Sequence, residues 1–442
     1  MIKAEEYIAR RTRLMASLPA DSIVVVPSAD IHTQGNGTDF PFVQETSFFY
    51  LTGFNEPNAW LLLSNRQTAE HTDGNRVTAT LFCLPKHKQA EIWNGRRLGV
   101  EAAHETLHVD QALPVDTLKE KLPDLLNAHQ RVYFALGKDA KKERVLTDAL
   151  ATLRRAPKQS KSPPDTLVDL APVLGEMRVL KSPGEVAVMQ QAAQISAKAH
   201  CRAMQFVKPG VFEYQLEAEI HHEFTMAGAK PTAYGTIVGS GENACILHYT
   251  DNQDAVKDGD LVLIDAGAYF QGYAADITRT FPVNGQFSEP QAALYQLVLD
   301  SQLAALALLK PGNTISQAMD ATVDVMCKGL LRLGILQGEW DDIVENNLWR
   351  QYFMHGLGHW LGMDVHDVGR YKIDGEDRPL QPGMVLTVEP GLYIDSDAAV
   401  DPKWHGLGIR IEDDIAITQT GHCVLTKDVP KTIVDIEALM SA

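Results

Sequence analysis

Nowhere does the sequence hold about 18 uninterrupted apolar residues, so no segment of it reads as a membrane-crossing helix. Its opening stretch, MIKAEEYIARRTRLMASL, is charged throughout and lacks the apolar core of a secretory leader. Cysteine is scarce: Cys83, Cys201, Cys245, Cys327 and Cys423 are an odd number, widely scattered, without a C-x-x-C pair. Neither a disulfide framework nor a thiolate zinc site is indicated, and a reducing cytoplasm is the expected location. Positive charge is short as well. Against 57 acidic residues stand 40 basic ones, a net charge of −17, and such a field repels phosphate backbones. Nucleic acid is not an expected partner, nor is a membrane. Glycine and proline, 32 and 22 of 442 residues, are too few for collagen or low-complexity chains, whereas 45% apolar residues can fill a large core. At that length two or more domains are expected.

The first third alternates short β-rich runs with polar helical stretches. Ser22 to Val26, Trp60 to Leu63, Thr78 to Leu84 and Val132 to Ala135 read as buried strands of an α/β domain. The phrase KQSKSPPD, from Lys158 to Asp165, reads as a linker or domain edge. Ser182-Pro-Gly-Glu185 is a capping box with proline at the first helical position, and it opens a long helix that stops at Lys208-Pro-Gly210. A second helix to about Gly228 carries Leu216, Ile220 and Phe224 on one stripe. The same order then returns. A helix begins at Ser288 and Pro290, Lys310-Pro-Gly312 stops it, and another runs to about Gly329. Each helix pair precedes a phrase in which a carboxylate follows a glycine by six positions, Gly259-DLVLI-Asp265 and Gly383-MVLTV-Glu389. Two related halves packed face to face are expected.

Asp265 ends an apolar strand, where an unpaired buried carboxylate costs several kcal/mol, on the order of the usual desolvation penalty. Asp276 follows in ADITRTF, and a hairpin centred on Phe270-Gln271 is predicted to set the two aspartates opposite each other. Opposed like charges are tolerated only with a cation or a proton between them. Glu389 is the counterpart of Asp265 in the second half. Glu412, in GIRIEDD, shares a strand face with Arg410, opposite Ile409 and Ile411. His355-Gly-Leu-Gly-His359 has zincin-like spacing but lacks the glutamate after its first histidine, and its glycines disfavour helix. Four carboxylates and one imidazole, Asp265, Asp276, Glu389, Glu412 and His359, form an oxygen-rich set whose charge two divalent cations neutralise. Mn(II) suits it best, with Co(II), Zn(II) and Fe(II) as alternatives. Two such metals lower the pKa of a shared water, hold the resulting hydroxide and polarise the carbonyl it attacks, which is hydrolytic chemistry.

The phrases VLIDAG, ADITRTFP, HGLGHWLGMDVHD, TVEPG and GIRIEDD together resemble the aminopeptidase P (Xaa-Pro aminopeptidase) family of pita-bread metallopeptidases. FFYLTGFNEP and EIWNGRRLG extend the likeness towards the N-terminus. The resemblance implies an α/β N-terminal domain over 1–174 and an α+β pita-bread catalytic domain with internal pseudo-two-fold repeat over 175–442. It also implies that Asp265, Asp276, His359, Glu389 and Glu412 bind two metal ions, usually manganese, with Asp276 and Glu412 bridging. His248, His355 and His366 are placed around the substrate, Arg410 beside it or beside the ligands, and Glu389 as acceptor of a proton from the nucleophilic water. Expected substrates are peptides with proline second; an Xaa-Pro dipeptidase, or prolidase, is the alternative. A homo-oligomer, tetramer or dimer, is implied, in which Trp93 is similar to an aromatic that reaches a neighbouring active site. Proline selectivity calls for an apolar and imidazole wall, with Tyr234, His355 and Tyr393 as candidates, and Asp265 is the candidate acceptor for the free α-amine. The sequence departs from close relatives at Gly358, where they often carry serine.

Overall fold

The computed structural model describes residues 2–66 and 77–441. The chain separates into two compact units, Ile2–Met177 and Arg178–Ala442.

The N-terminal unit is built on a mixed six-stranded sheet in the order Gln111–Pro114, Thr78–Cys83, Trp60–Ser64, Ser22–Pro27, Arg131–Phe134, Thr166–Asp169. Its central strands are near-continuous β-branched and aliphatic runs, as strands covered on both faces must be. Ile23, Val25, Leu62 and Phe82 pack against the amphipathic helices Leu118–Leu126 and Ala140–Arg154. The KQSKSPPD segment is not a linker between domains. It joins the helix Ala140–Arg154 to Thr166–Asp169, the edge strand of this same sheet, which pairs in parallel with Arg131–Phe134. Its prolines and lysines mark a surface loop inside the unit.

In the C-terminal unit the two-fold pattern is explicit. The capping box is formed: Ser182 Oγ accepts from Glu185 N, and Glu185 Oε2 accepts from Ser182 N, opening the helix Pro183–Phe206. The helices Pro183–Phe206 and Glu213–Met226 are joined at a Lys-Pro-Gly turn, and so are Glu289–Leu308 and Ile315–Arg332; Gly210 and Gly312 take φ of 92° and 90°, which a residue with a Cβ adopts only under strain. Each helix pair is followed by a long hairpin interrupted part-way. In the first, Leu261–Asp265 pairs with Thr278–Pro282, and Tyr269–Phe270 with Tyr273–Ala274. In the second, Val385–Val388 pairs with Asp413–Ile417, and Gly391–Ile394 with Leu407–Arg410. Leu216, Ile220, Phe224, Val262, Ile264 and Val298 lie in one buried cluster between helices and strands. Among the described residues no helix is long and apolar enough to cross a membrane.

Candidate active site

The acidic side chains lie in or at the edge of the two hairpin interruptions. Pairing keeps one register across each gap. Val388 opposite Asp413 and Gly391 opposite Arg410 therefore set Glu389 against Glu412. In the first hairpin Asp265 faces Thr278, and Asp276 falls opposite Gly267, two positions along. The aspartates are thus diagonal neighbours on one face, not directly opposed. The reason is the turn: Gln271 and Gly272 both take positive φ, 50° and 90°, so they, and not Phe270-Gln271, are its central pair. Gly267 is demanded by close approach, since a Cβ there would lie 1.7 Å from the Ala275 carbonyl oxygen.

Backbone bonds that leave the hairpins stitch the segments together. Glu389 N donates to Leu357 O (2.8 Å), Thr387 N to His359 O (2.9 Å) and Glu412 N to Thr278 O (3.0 Å). The segment 355–359 is not helical, and Trp360 and Leu361 behind it are fully buried. A Cβ on Gly358 would sit 2.0 Å from Thr387 O, so the backbone at this position is fitted to glycine. One cavity of about 500 Å³ results, and Asp265, Asp276, His359, Glu389 and Glu412 line it together with His248, His355, His366 and Arg410.

Within it, ligand atoms of Asp276, His359 and Glu412 all lie within 4.8 Å of one another. His359 Nε2 is 3.5 Å from Asp276 Oδ2 and 3.6 Å from Glu389 Oε1. Burial and the neighbouring carboxylates raise Asp276 and push Glu412 well above the carboxylate range, and burial above all takes Glu389 up to about 7. Burial alone would lower His359, but its contact with Asp276 and the charges of Asp276 and Glu389 outweigh that and carry it up to about 9. Without a cation this cluster must hold protons. A divalent cation fits the donor set better, because it removes the repulsion among carboxylates that no apolar core would gather. The other imidazoles differ. His355 is driven down to about 4 by burial and the Arg410 charge, and His366 is lowered by burial and by His359. Neither His248 nor His366 is a core residue: both are exposed on the cavity side, and His366 stands edge-to-face with His359 at 4.2 Å.

Comparison with known proteins bears directly on this arrangement. The model of metallopeptidase family M24 matches residues 187–419, and that of the aminopeptidase P N-terminal domain matches residues 7–133. The chain belongs to metallopeptidase family M24. This M24 peptidase is 48% identical to the Xaa-Pro aminopeptidase of Escherichia coli, over 100% of this chain and 98% of that one. To the Xaa-Pro aminopeptidase of Haemophilus influenzae it is 45% identical, over 99% and 97%. Zinc-substituted E. coli aminopeptidase P in complex with product superimposes at a TM-score of 0.96 with 48% identity, and an aminopeptidase of Pseudomonas aeruginosa at 0.96 with 45%, each covering 100% of this chain and 98% of the other. The chain is accordingly a peptide hydrolase that uses a divalent metal, with an α/β N-terminal domain ahead of a pita-bread catalytic domain.

Hydrogen bonds that the sequence does not disclose shape the M24 site. Tyr234 Oη donates to Asp265 Oδ1 (2.6 Å) and contacts Asp276, so its hydroxyl joins the two aspartates while the residue lines the cavity. Arg410 Nη2 donates to Asp265 Oδ2 (2.6 Å). Each Asp265 oxygen thus accepts one hydrogen bond and keeps a further lone pair. Tyr393 lies behind the cavity, hydrogen-bonded to His355 Nε2 (2.8 Å) and Arg410 Nη1 (3.0 Å). Thr278 Oγ1 donates to Glu412 Oε2 (2.6 Å). Gln302 Nε2 bonds the carbonyls of Val388 (3.2 Å) and Ile411 (3.1 Å), the residues just before the two glutamates. Behind His366, the fully buried Asp367 is clamped by Lys181 (2.9 Å) and Arg178. A polar stretch such as Asp413-Asp414 is the only hint the sequence offers: Asp413 is buried against Arg279 (2.7 Å) and Lys431 (2.6 Å).

Proposed function

We propose that this chain removes the N-terminal residue from peptides whose second residue is proline, using two divalent cations, Mn(II) by preference, that Asp265, Asp276, His359, Glu389 and Glu412 would hold, with Asp276 and Glu412 shared between them. One observation carries the reading: five potential ligands from separate parts of the chain line a single cavity, and their charges are compatible only with cations or protons among them. When bound, the cations lower the pKa of water at the site and polarise the scissile carbonyl.

The chain's own groups supply the rest. Glu389 takes the proton released by the attacking water and returns it to the proline nitrogen as the C–N bond breaks. His248 and His366 line the cavity, and no hydrogen bond to any other described residue engages their rings, so each has an N–H free to donate to the scissile oxygen as charge develops there. His355 is committed differently. Its Nδ1 faces Gly356 O (2.8 Å) and its Nε2 faces Tyr393 Oη (2.8 Å), so this neutral imidazole offers a ring face, suited to a pyrrolidine that has no N–H to bind. Arg410 fixes Asp265 and, through Tyr393, the orientation of His355.

Catalysis is assigned to residues 175–442, and subunit assembly to residues 1–174. In the N-terminal unit Trp93 is 79% exposed and Ile92 68%, on the short helix Lys88–Asn94, so Trp93 is not a core residue. An exposed Trp-Ile pair supports a homo-oligomer, dimer or tetramer, in which this surface meets another subunit. Five free cysteines and the acidic surface are consistent with the cytoplasm. A peptide-length series with the metal-loaded protein tests the substrate reading. Cleavage of Xaa-Pro-Yaa tripeptides and longer peptides is expected; turnover of Xaa-Pro dipeptides alone would make the protein a prolidase.

A further inference from the structure

We infer that Glu213 is a positioning residue for the substrate-side histidine His248, holding the segment 240–254 in the shape that puts that ring on the cavity; the inference rests on the reading of His248 above. Glu213 is the first residue of the helix Glu213–Met226, outside the cavity, and its side chain is fully buried. Five donors converge on its carboxylate. Oε1 accepts from Ser240 N (2.8 Å), Ser240 Oγ (2.8 Å) and Asn243 Nδ2 (3.1 Å), and Oε2 accepts from Tyr249 Oη (2.9 Å) and Asp254 N (2.9 Å). The donors come from both ends of one irregular segment and from the residue next to His248. Leu247, His248 and Thr250 on that segment line the cavity.

The chemistry fits a hub made only of acceptors. Every donor to Glu213 is neutral, and the helix N-terminus beneath it favours negative charge. A carboxylate accepts at both oxygens without donating, so it can satisfy donors from two chain directions at once. Between Ile246 and Asp260 the segment contains no strand or helix and His248 itself is exposed; Leu247 and Tyr249 on either side of it pack against the cluster of Ile237, Ala244, Leu263 and Tyr393, and the Glu213 hub supplies the polar anchor for the same stretch. Outside this hub, Asn252 ties the segment by accepting from Val238 N (2.9 Å) and donating to Glu217 (2.9 Å) and Thr236 O (3.0 Å). Those bonds fix the end of the segment but none reaches residues 247 to 249.

The variant Glu213→Gln keeps the shape and replaces one acceptor oxygen by an NH₂ group that meets donors. With the metal-loaded enzyme, kcat on an Xaa-Pro tripeptide is expected to fall roughly 10–100-fold while bound metal is unchanged, the scale of losses caused by small misplacements of a reacting group. Amide hydrogen exchange should rise in 240–254 and stay unaltered elsewhere. If Glu213 acts through His248, the Glu213→Gln loss vanishes in a His248→Ala background, and Tyr249→Phe, which removes one donor of the five, gives the same local change on a smaller scale even if Glu213→Gln folds poorly. Unchanged exchange over 240–254 in both variants, or equal losses with and without His248, overturns the inference while leaving the role of His248 intact. Full activity of His248→Ala alone overturns that role and this inference with it.

Discussion

Glu389 faces Glu412 across a hairpin whose ladder opens at that point, and each sends its N–H out of the hairpin, Glu389 to Leu357 O (2.8 Å) and Glu412 to Thr278 O (3.0 Å). The gap is therefore also a junction. Through it the 355–359 segment and the first hairpin meet the second, and the carboxylates are held together by backbone bonds whatever their charge. Repulsion that would splay a flexible pair is retained here, and a cation is what relieves it.

Removing a central ligand tests that relief. Glu412→Ala is expected to abolish both turnover and metal retention, because its carboxylate, 2% exposed, stands within metal-ligand reach of Asp276 and His359. Elemental analysis after dialysis and a peptide assay are the paired readouts; retained metal with full activity contradicts the assignment.

The imidazoles around the scissile bond should separate from the ligands. His248→Ala is expected to lower kcat by ~10²–10³ with metals kept, the range for loss of one donor to a developing oxyanion. Loss of metal in this variant would move His248 into the ligand set.

Stability should depend on pH in a way that metal reverses. In the metal-free protein Glu389 is raised to about 7 and His359 to about 9, each above its unfolded value, whereas the lowered His355 and His200 act the other way only below about pH 6.5, so the folded state binds more protons than the unfolded one between roughly pH 6.5 and 9. The metal-free melting temperature should consequently fall as pH rises through that window. Divalent metal competes with those protons, so its stabilising effect should grow over the same interval. Thermal melts with and without Mn(II) at several pH values read both slopes, and a metal-free melting temperature that rises from about pH 6.5 to 9 would count against the cluster.

A buried clamp behind the site should cost stability when halved. Asp367, Lys181 and Arg178 are all almost wholly buried, so Asp367→Asn leaves two cations without their shared carboxylate. A loss of roughly 3–5 kcal/mol is expected in urea unfolding, as for other broken buried pairs. A loss below about 1 kcal/mol, the scale of an exposed pair, would mean that water reaches the clamp.

What the sequence disclosed and what it hid follow one physical division. Capping at Ser182, the Lys-Pro-Gly stops, the apolar strand before Asp265 and the non-helical HGLGH are local features, encoded within a few residues, and the structure has them. The diagonal placement of Asp265 and Asp276 depends on where a two-residue turn falls, and a shift of one position there moves every pairing. Nothing near Lys158 to Asp165 reveals that the next strand still belongs to the first sheet. Tyr234, Gln302 and Glu213 act across 27 to 109 positions, by contacts that leave no spacing or periodicity to read.

Anomalous diffraction from Mn(II)-loaded crystals tests the central claim most directly. The account predicts two anomalous peaks in the cavity, among the side chains of Asp265, Asp276, His359, Glu389 and Glu412. A single peak remote from those carboxylates, or none at saturating Mn(II), would contradict it.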